Sequence, residues 1–190
     1  RLASCKLKTT MVSAATSIAI VLIVIAGVSS GLPATYGDTN MAARMCLKTT
    51  NPMLCMVVLK VNPKSAYAST KQDVGSVALQ IASDTAEYNL GVINNLNKGS
   101  LGTPEGGALA QCLWAYQDAD NNLKHNARTG FDRGDYVGAM ALVSGAQIVG
   151  DICENAFNMI GKNSPVSKID RQMTERCGVA AEVIGLLTHK

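Results

Sequence analysis

The chain has 190 residues and a mass of 19.9 kDa, room for one domain or at most a small second one. Hydrophobic residues make up 47% and charged residues 16%, which excludes a disordered chain and a nucleic-acid-binding tail. The formal charge of +3 rests on Arg1, Lys6 and Lys8, because residues 1–30 hold no Asp or Glu; the remaining 14 basic and 14 acidic side chains balance, leaving no electrostatic footprint for DNA, RNA or an anionic membrane.

Basic Arg1, Lys6 and Lys8 lead into Met11–Ser30, densest at Ile18–Val28, the layout of a secretory signal peptide. Residues 1–30 are therefore predicted to be cleaved, at a site between Ser30 and Gly37, with the working domain over 38–190. The rival is an uncleaved membrane anchor, since Met11–Val28 is just long enough to span. Cleavage is favoured because Ser13, Thr16 and Ser17 dilute the apolar run.

Beyond this segment the scarcity of aromatics, 4% of the chain, favours packed helices over a β-sandwich. Thr39–Thr50 and Met53–Val61 read as two short helices around the Asn51-Pro52 turn, and Asn62-Pro63 breaks the chain again. A long helix is predicted from Ala66 to Leu96, with Val74, Ala78, Ile81, Thr85, Tyr88 and Val92 on one face. After the loop Lys98–Gly107, Thr103 is the N-cap candidate and Pro104 the first helical residue. The next helix aligns Leu109, Cys112, Tyr116, Ala119 and Leu123. Arg128–Gly134 is read as a turn, with Gly130 as C-cap and Asp132 as the following N-cap.

A third long helix places Tyr136, Met140, Val143, Gly150, Cys153, Phe157 and Ile160 on one stripe. The last, Ser167–Leu187, aligns Ile169, Met173, Cys177, Ala180, Ile184 and Leu187. The fold class is all-α. Four long amphipathic helices joined by short loops should form an up-down-up-down bundle behind an N-terminal helical hairpin.

Cys5 leaves with the signal segment, and five cysteines remain. Secretion makes disulfides the default and leaves one thiol over. Cys46 and Cys55 can close the short hairpin on itself, and Cys112 and Cys153 suit a staple between helices. Cys177 falls on a core stripe, which suits an inert thiol. A zinc site lacks its ligands: there is no CxxC, and the only histidines are His125 and His189. No metal and no cofactor is expected. Hydrolytic motifs and a Gly-rich phosphate loop are missing, and Asp118 and Asp120, two apart on a helix, face different directions. The chain reads as a binding protein, not an enzyme.

Cys46 and Cys55 enclosing Asn51-Pro52, the Asn62-Pro63-Lys64-Ser65 segment, AxxCxxxYxDAxxxL at Ala108–Leu123, Gly134-Asp135-Tyr136 and Cys153–Phe157 (CENAF) stand in order. Together they resemble the plant invertase and pectin methylesterase inhibitor family, over about Met41 to Leu187. The resemblance implies a hairpin followed by a four-helix bundle, disulfides Cys46–Cys55 and Cys112–Cys153, and a monomeric cell-wall protein that forms a one-to-one noncovalent complex with its target. Gly134-Asp135-Tyr136 and the unpaired Cys177 look like the branch that inhibits pectin methylesterase. Inhibition of acid invertase, or a non-inhibitory extracellular protein of the same fold, is the alternative.

The resemblance also implies where the target is met: on the second and third long helices, near the bridge that ties them. Carried over by position, the contact residues are Trp114, Asp118, Asn121, Ile152 and Asn155. Trp114, Asp118, Asn121 and His125 form a stripe opposite the core of their helix, and Ile148, Ile152 and Asn155 do likewise on theirs. Ile152, Asn155 and Trp114 depart from the residues common in the family, making this surface more apolar and less acidic. An exposed Trp beside Ile is the composition of a binding hot spot.

Overall fold

Asparagine side chains set the start of every early element. The computed structural model describes residues 40–188; the signal segment and its cleavage window lie outside the described residues. Asn40 Oδ1 accepts from the Ala43 amide at 2.9 Å and opens α1 (Met41–Cys46). Asn51 Oδ1 accepts from Leu54 at 3.0 Å and opens α2 (Pro52–Leu59), with Pro52 at the first helical position where no donor is missed. Asn62 does the same for a 3-10 turn, Pro63–Tyr67, accepting from Lys64 at 3.0 Å. The Cys46–Cys55 disulfide, Cα atoms 5.4 Å apart, closes α1 onto α2 as expected.

The long helices follow. α3 (Lys71–Gly99) starts five residues later than the periodicity predicted, because Thr70 and Asp73 form a reciprocal capping box: the Asp73 amide donates to Thr70 Oγ1 at 3.0 Å and the Thr70 amide to Asp73 Oδ2 at 2.8 Å. α4 (Pro104–Asn121) opens on Thr103 and Pro104 as expected, Thr103 Oγ1 accepting from Gly106 at 3.0 Å.

Three expectations fail here. The turn predicted at Arg128–Gly134 is helical for most of its length: a π-helical turn (Asn122–Ala127) runs into α5 (Arg128–Asp132). Gly130 is therefore not a C-cap. The residue that takes the left-handed conformation is Gly134, at φ 83°, which a side chain would strain. Nor is Asp132 the next N-cap; Asp135 is, its Oδ1 accepting from Gly138 at 2.9 Å.

The third long helix is interrupted. α6 (Tyr136–Gln147) and α7 (Val149–Asn158) meet at Ile148. The cause is visible: Thr174 Oγ1, from the last helix, donates to the Gln147 carbonyl at 3.1 Å, and a side chain entering the helical ladder there breaks its continuity. α8 (Ser167–Gly185) completes the chain after a left-handed Gly161 at φ 67°.

α3, α4 with α5, α6 with α7, and α8 close a ring of four helical columns, each packed on its two neighbours, and the α1–α2 hairpin rests on α3 and α8. The core inside is built from Leu79, Ile81, Ile93, Leu109, Tyr116, Leu123, Val143, Phe157, Met173 and Ile184, all fully buried. The core face of α3 differs from the prediction in its second half. Tyr88 is 65% exposed, and Val92 is half-buried; Ala86, Asn89 and Ile93 take their places. Steps of four from Thr85 follow the 3.6-residue turn where a step of three had been read.

Candidate functional site

Cys112 and Cys153 form the second disulfide, Cα atoms 4.6 Å apart, and it ties α4 to α7. Both cysteines are fully buried, so each marks the inward face of its helix. Trp114, Asp118 and Asn121 lie two, six and nine residues on, which carries all three to the outward side of α4. All three are exposed, Trp114 at 69%.

The two flanks of α4 differ. On one, Asp120 and Lys124 pair at 3.0 Å, and Lys124 reaches Glu87 of α3 at 3.2 Å. On the other, Asp118 and Asn122 face Leu142, Gly145 and Ala146 of α6 across a shallow cleft of about 160 Å³. One oxygen of Asp118 accepts from Asn122 Nδ2 at 3.0 Å. The second is left to solvent or to a partner.

On α7, Gly150 turns toward α8: a Cβ there would stand 2.9 Å from the Asp170 carbonyl. Ile152 consequently falls on the opposite flank, toward α4. It is 37% exposed, Ile148 at the helix break is 55% exposed, and Asn155 is exposed. The outward faces of α4 and α7 therefore carry Trp114, Ile148 and Ile152 as apolar members, with Asp118, Asn121 and Asn155 as polar ones. His125 is exposed in the π-helical turn beyond Asn121.

A second group of polar residues, unforeseen as a group from the sequence, is sealed inside. The Tyr116 hydroxyl donates to Asp170 Oδ1 at 2.7 Å, and Asn89 Nδ2 donates to the Ile169 carbonyl at 2.9 Å. Asn89 Oδ1, Asp170 Oδ2 and Glu154 Oε1 are buried without a partner. Burial above all pushes the Asp170 carboxyl up to about 7; the Tyr116 hydrogen bond opposes this rise, and Glu154 and Asp151 add to it. Burial also raises the Tyr116 hydroxyl, as does the Asp170 carboxylate.

A neutral Asp170 carries a proton into a place crowded with acceptors, where a carboxylate would find only Tyr116. Asn89, Tyr116 and Asp170 are at most 2% exposed, so no substrate reaches them. The group's role is in the core. Two of its members carry a signal that a closer reading could use: Asn89 stands four residues after Thr85 on an apolar stripe, and a buried Tyr needs a partner for its hydroxyl.

Cys177 is buried as expected, and burial pushes its thiol up to about 12. A thiolate is not available there. Among the described residues no group of three His, Cys, Asp or Glu side chains is placed to hold a metal ion. The arrangement that remains is an exposed, mixed apolar and polar face on two helices held by a disulfide.

The family model for plant invertase/pectin methylesterase inhibitors matches residues 40–183. A pectinesterase inhibitor from Actinidia deliciosa is 26% identical over 157 residues, covering 82% of this chain and 83% of that protein. Among solved structures, a mutant form of a pectin methylesterase inhibitor from Arabidopsis superposes with a TM-score of 0.65 at 21% identity, over 78% of this chain and 97% of the other. A pectin methylesterase inhibitor from Arabidopsis thaliana gives 0.59 at 22% identity, over 81% and 100%. Those structural likenesses show the fold. The family match spans the hairpin, both disulfides and nearly all of the last helix, and the chain belongs to the plant invertase/pectin methylesterase inhibitor family.

Proposed function

We propose that the chain is a secreted inhibitor of pectin methylesterase. It lays the α4–α7 face across the enzyme's substrate cleft in a noncovalent one-to-one complex. The observation that carries this reading is Trp114: a large apolar side chain, 69% exposed, on a helix braced from behind by Cys112–Cys153. A rigid aromatic anchor needs little ordering on binding, so most of its burial is available as affinity. Ile152 and Ile148 extend the apolar part. Asp118, Asn121 and Asn155 supply polar contacts at its edge.

Family membership and the named Actinidia deliciosa relative support the inhibitory role, and Gly134-Asp135-Tyr136 favours pectin methylesterase over acid invertase. The chain acts by binding, without a cofactor. Residues 1–30 serve as its secretion signal and 38–190 as the working domain of an apoplastic, monomeric protein. Mass spectrometry of secreted material is expected to show an N-terminus between about Gly31 and Asp38. Recovery only in detergent, with Ile18–Val28 intact, would establish a membrane anchor instead.

Titration against the two enzymes in parallel tests the target. Loss of pectin methylesterase activity with acid invertase untouched is expected. Loss of invertase activity alone would move the chain to the other branch, and loss of neither would end the inhibitory reading.

A further inference from the structure

A concavity lies away from the α4–α7 face, at the base of the hairpin. It measures about 590 Å³, within the range that binds small organic ligands. Met41, Met45, Leu47 and Leu186 give it an apolar wall, contributed by α1, its C-terminal turn and the end of α8. Met45 is buried, whereas Leu47 is 70% exposed, an arrangement of closed floor and open lip.

Three cations stand around it: Arg44, Lys48 and Lys71. Among the described residues no Asp or Glu lines the cavity, and none of the three cations takes part in a salt bridge. Among the described residues the guanidinium of Arg44 meets the Met41 sulfur alone, at 3.8 Å. Asp73, two residues from Lys71, accepts through Oδ2 from the Ser69 and Thr70 amides and the Ser69 hydroxyl. Lys71 stands at the first turn of α3, where the helix dipole adds positive potential. The Cys46–Cys55 bridge fixes α1 on α2, and the packing of this hairpin on α3 and α8 sets the cavity wall beside the end of α8.

An apolar interior ringed by cations that have no salt-bridge partner among the described residues is complementary to one kind of small molecule. We infer that the cavity between the hairpin and the end of α8 binds a single-chain amphipathic carboxylate, its alkyl part against Met41, Met45, Leu47 and Leu186 and its carboxylate among Arg44, Lys48 and Lys71. The ligand is a free monomer, not a lipid held in a membrane.

Decanoate, used below its micellar concentration, is the probe, with the secreted protein carrying 13C-methyl methionine. Decanoate is expected to bind at one equivalent and to shift the methyls of Met41 and Met45 while leaving Met173 in the core unmoved. The doubly substituted Arg44→Gln, Lys48→Gln protein, altered only at exposed side chains, is expected to bind at least five-fold more weakly with an unchanged melting midpoint. Decyltrimethylammonium, of the same length and opposite charge, should leave the Met41 and Met45 methyls in place. Failure of decanoate to shift them, equal binding of the cationic probe, undiminished binding by the double variant, or partition onto anionic vesicles in preference to monomeric decanoate would each overturn the assignment. None of these outcomes bears on inhibition, which is measured separately.

Discussion

Trp114 is the residue on which the proposed contact turns. Trp114→Ala is expected to weaken the complex with pectin methylesterase by roughly 2 kcal/mol or more, as loss of an interface hot spot does. Its side chain is exposed in the free protein, so the melting midpoint should change little. Calorimetric titration and thermal unfolding of the same sample check both halves. Asp118→Ala tests a different force. With one oxygen of Asp118 already satisfied by Asn122, the other is available to a basic residue of the enzyme, and salt screens such a pair. The expected loss is largest at low ionic strength and shrinks as salt is added. A loss that stays constant with salt would assign Asp118 a non-ionic contact.

At the scale of elements, the two disulfides do unequal work. Cys46–Cys55 closes a separation of 9 residues and Cys112–Cys153 one of 41. Loop-closure entropy alone makes these worth about 3 and about 4 kcal/mol. The second also joins two core columns, whereas the first sits in the peripheral hairpin. Replacing Cys112 and Cys153 together by Ala is therefore expected to lower the melting midpoint more than replacing Cys46 and Cys55; the reverse order would contradict it. These elements also show what can be read from a sequence. Asn51-Pro52, Thr103-Pro104 and the cysteine spacings are local chemistry, and the hairpin, α4 and both bridges follow from them. The break at Ile148 does not, because its cause is Thr174 of another helix reaching the Gln147 carbonyl. The π-helical turn after Asn121 hides for a related reason. Its Leu123 and Ala127 are buried like any helical core positions, and composition does not distinguish the wider turn. The outward stripe holding Trp114, Asp118 and Asn121 was legible as periodicity. The cluster of Asn89, Tyr116, Glu154 and Asp170 was not, since it draws on four different helices.

For the whole molecule, that cluster couples stability to pH. The Asp170 carboxyl titrates near 7 in the fold and near 4 when unfolded, so unfolding releases its proton between these values. Its contribution is fully present below about pH 4 and is lost as pH rises through about 7. The fold should be more stable at pH 5 than at pH 8 by on the order of a few kcal/mol. Asp170→Asn, which keeps an acceptor for the Tyr116 hydroxyl and cannot ionise, should flatten that dependence; melting midpoints of both proteins across this range provide the check. Stability that is greatest in mild acid is consistent with the proposed action in a cell wall. The most direct measurement follows initial rates of pectin de-esterification by a fixed amount of pectin methylesterase as the protein is titrated in, at low and high pectin. Closure of the cleft predicts that activity falls to zero near one equivalent when the complex is tight. It also predicts that more inhibitor is needed when pectin is abundant. No loss of activity at any ratio, or a loss indifferent to pectin concentration, would contradict a helical face laid across the substrate cleft.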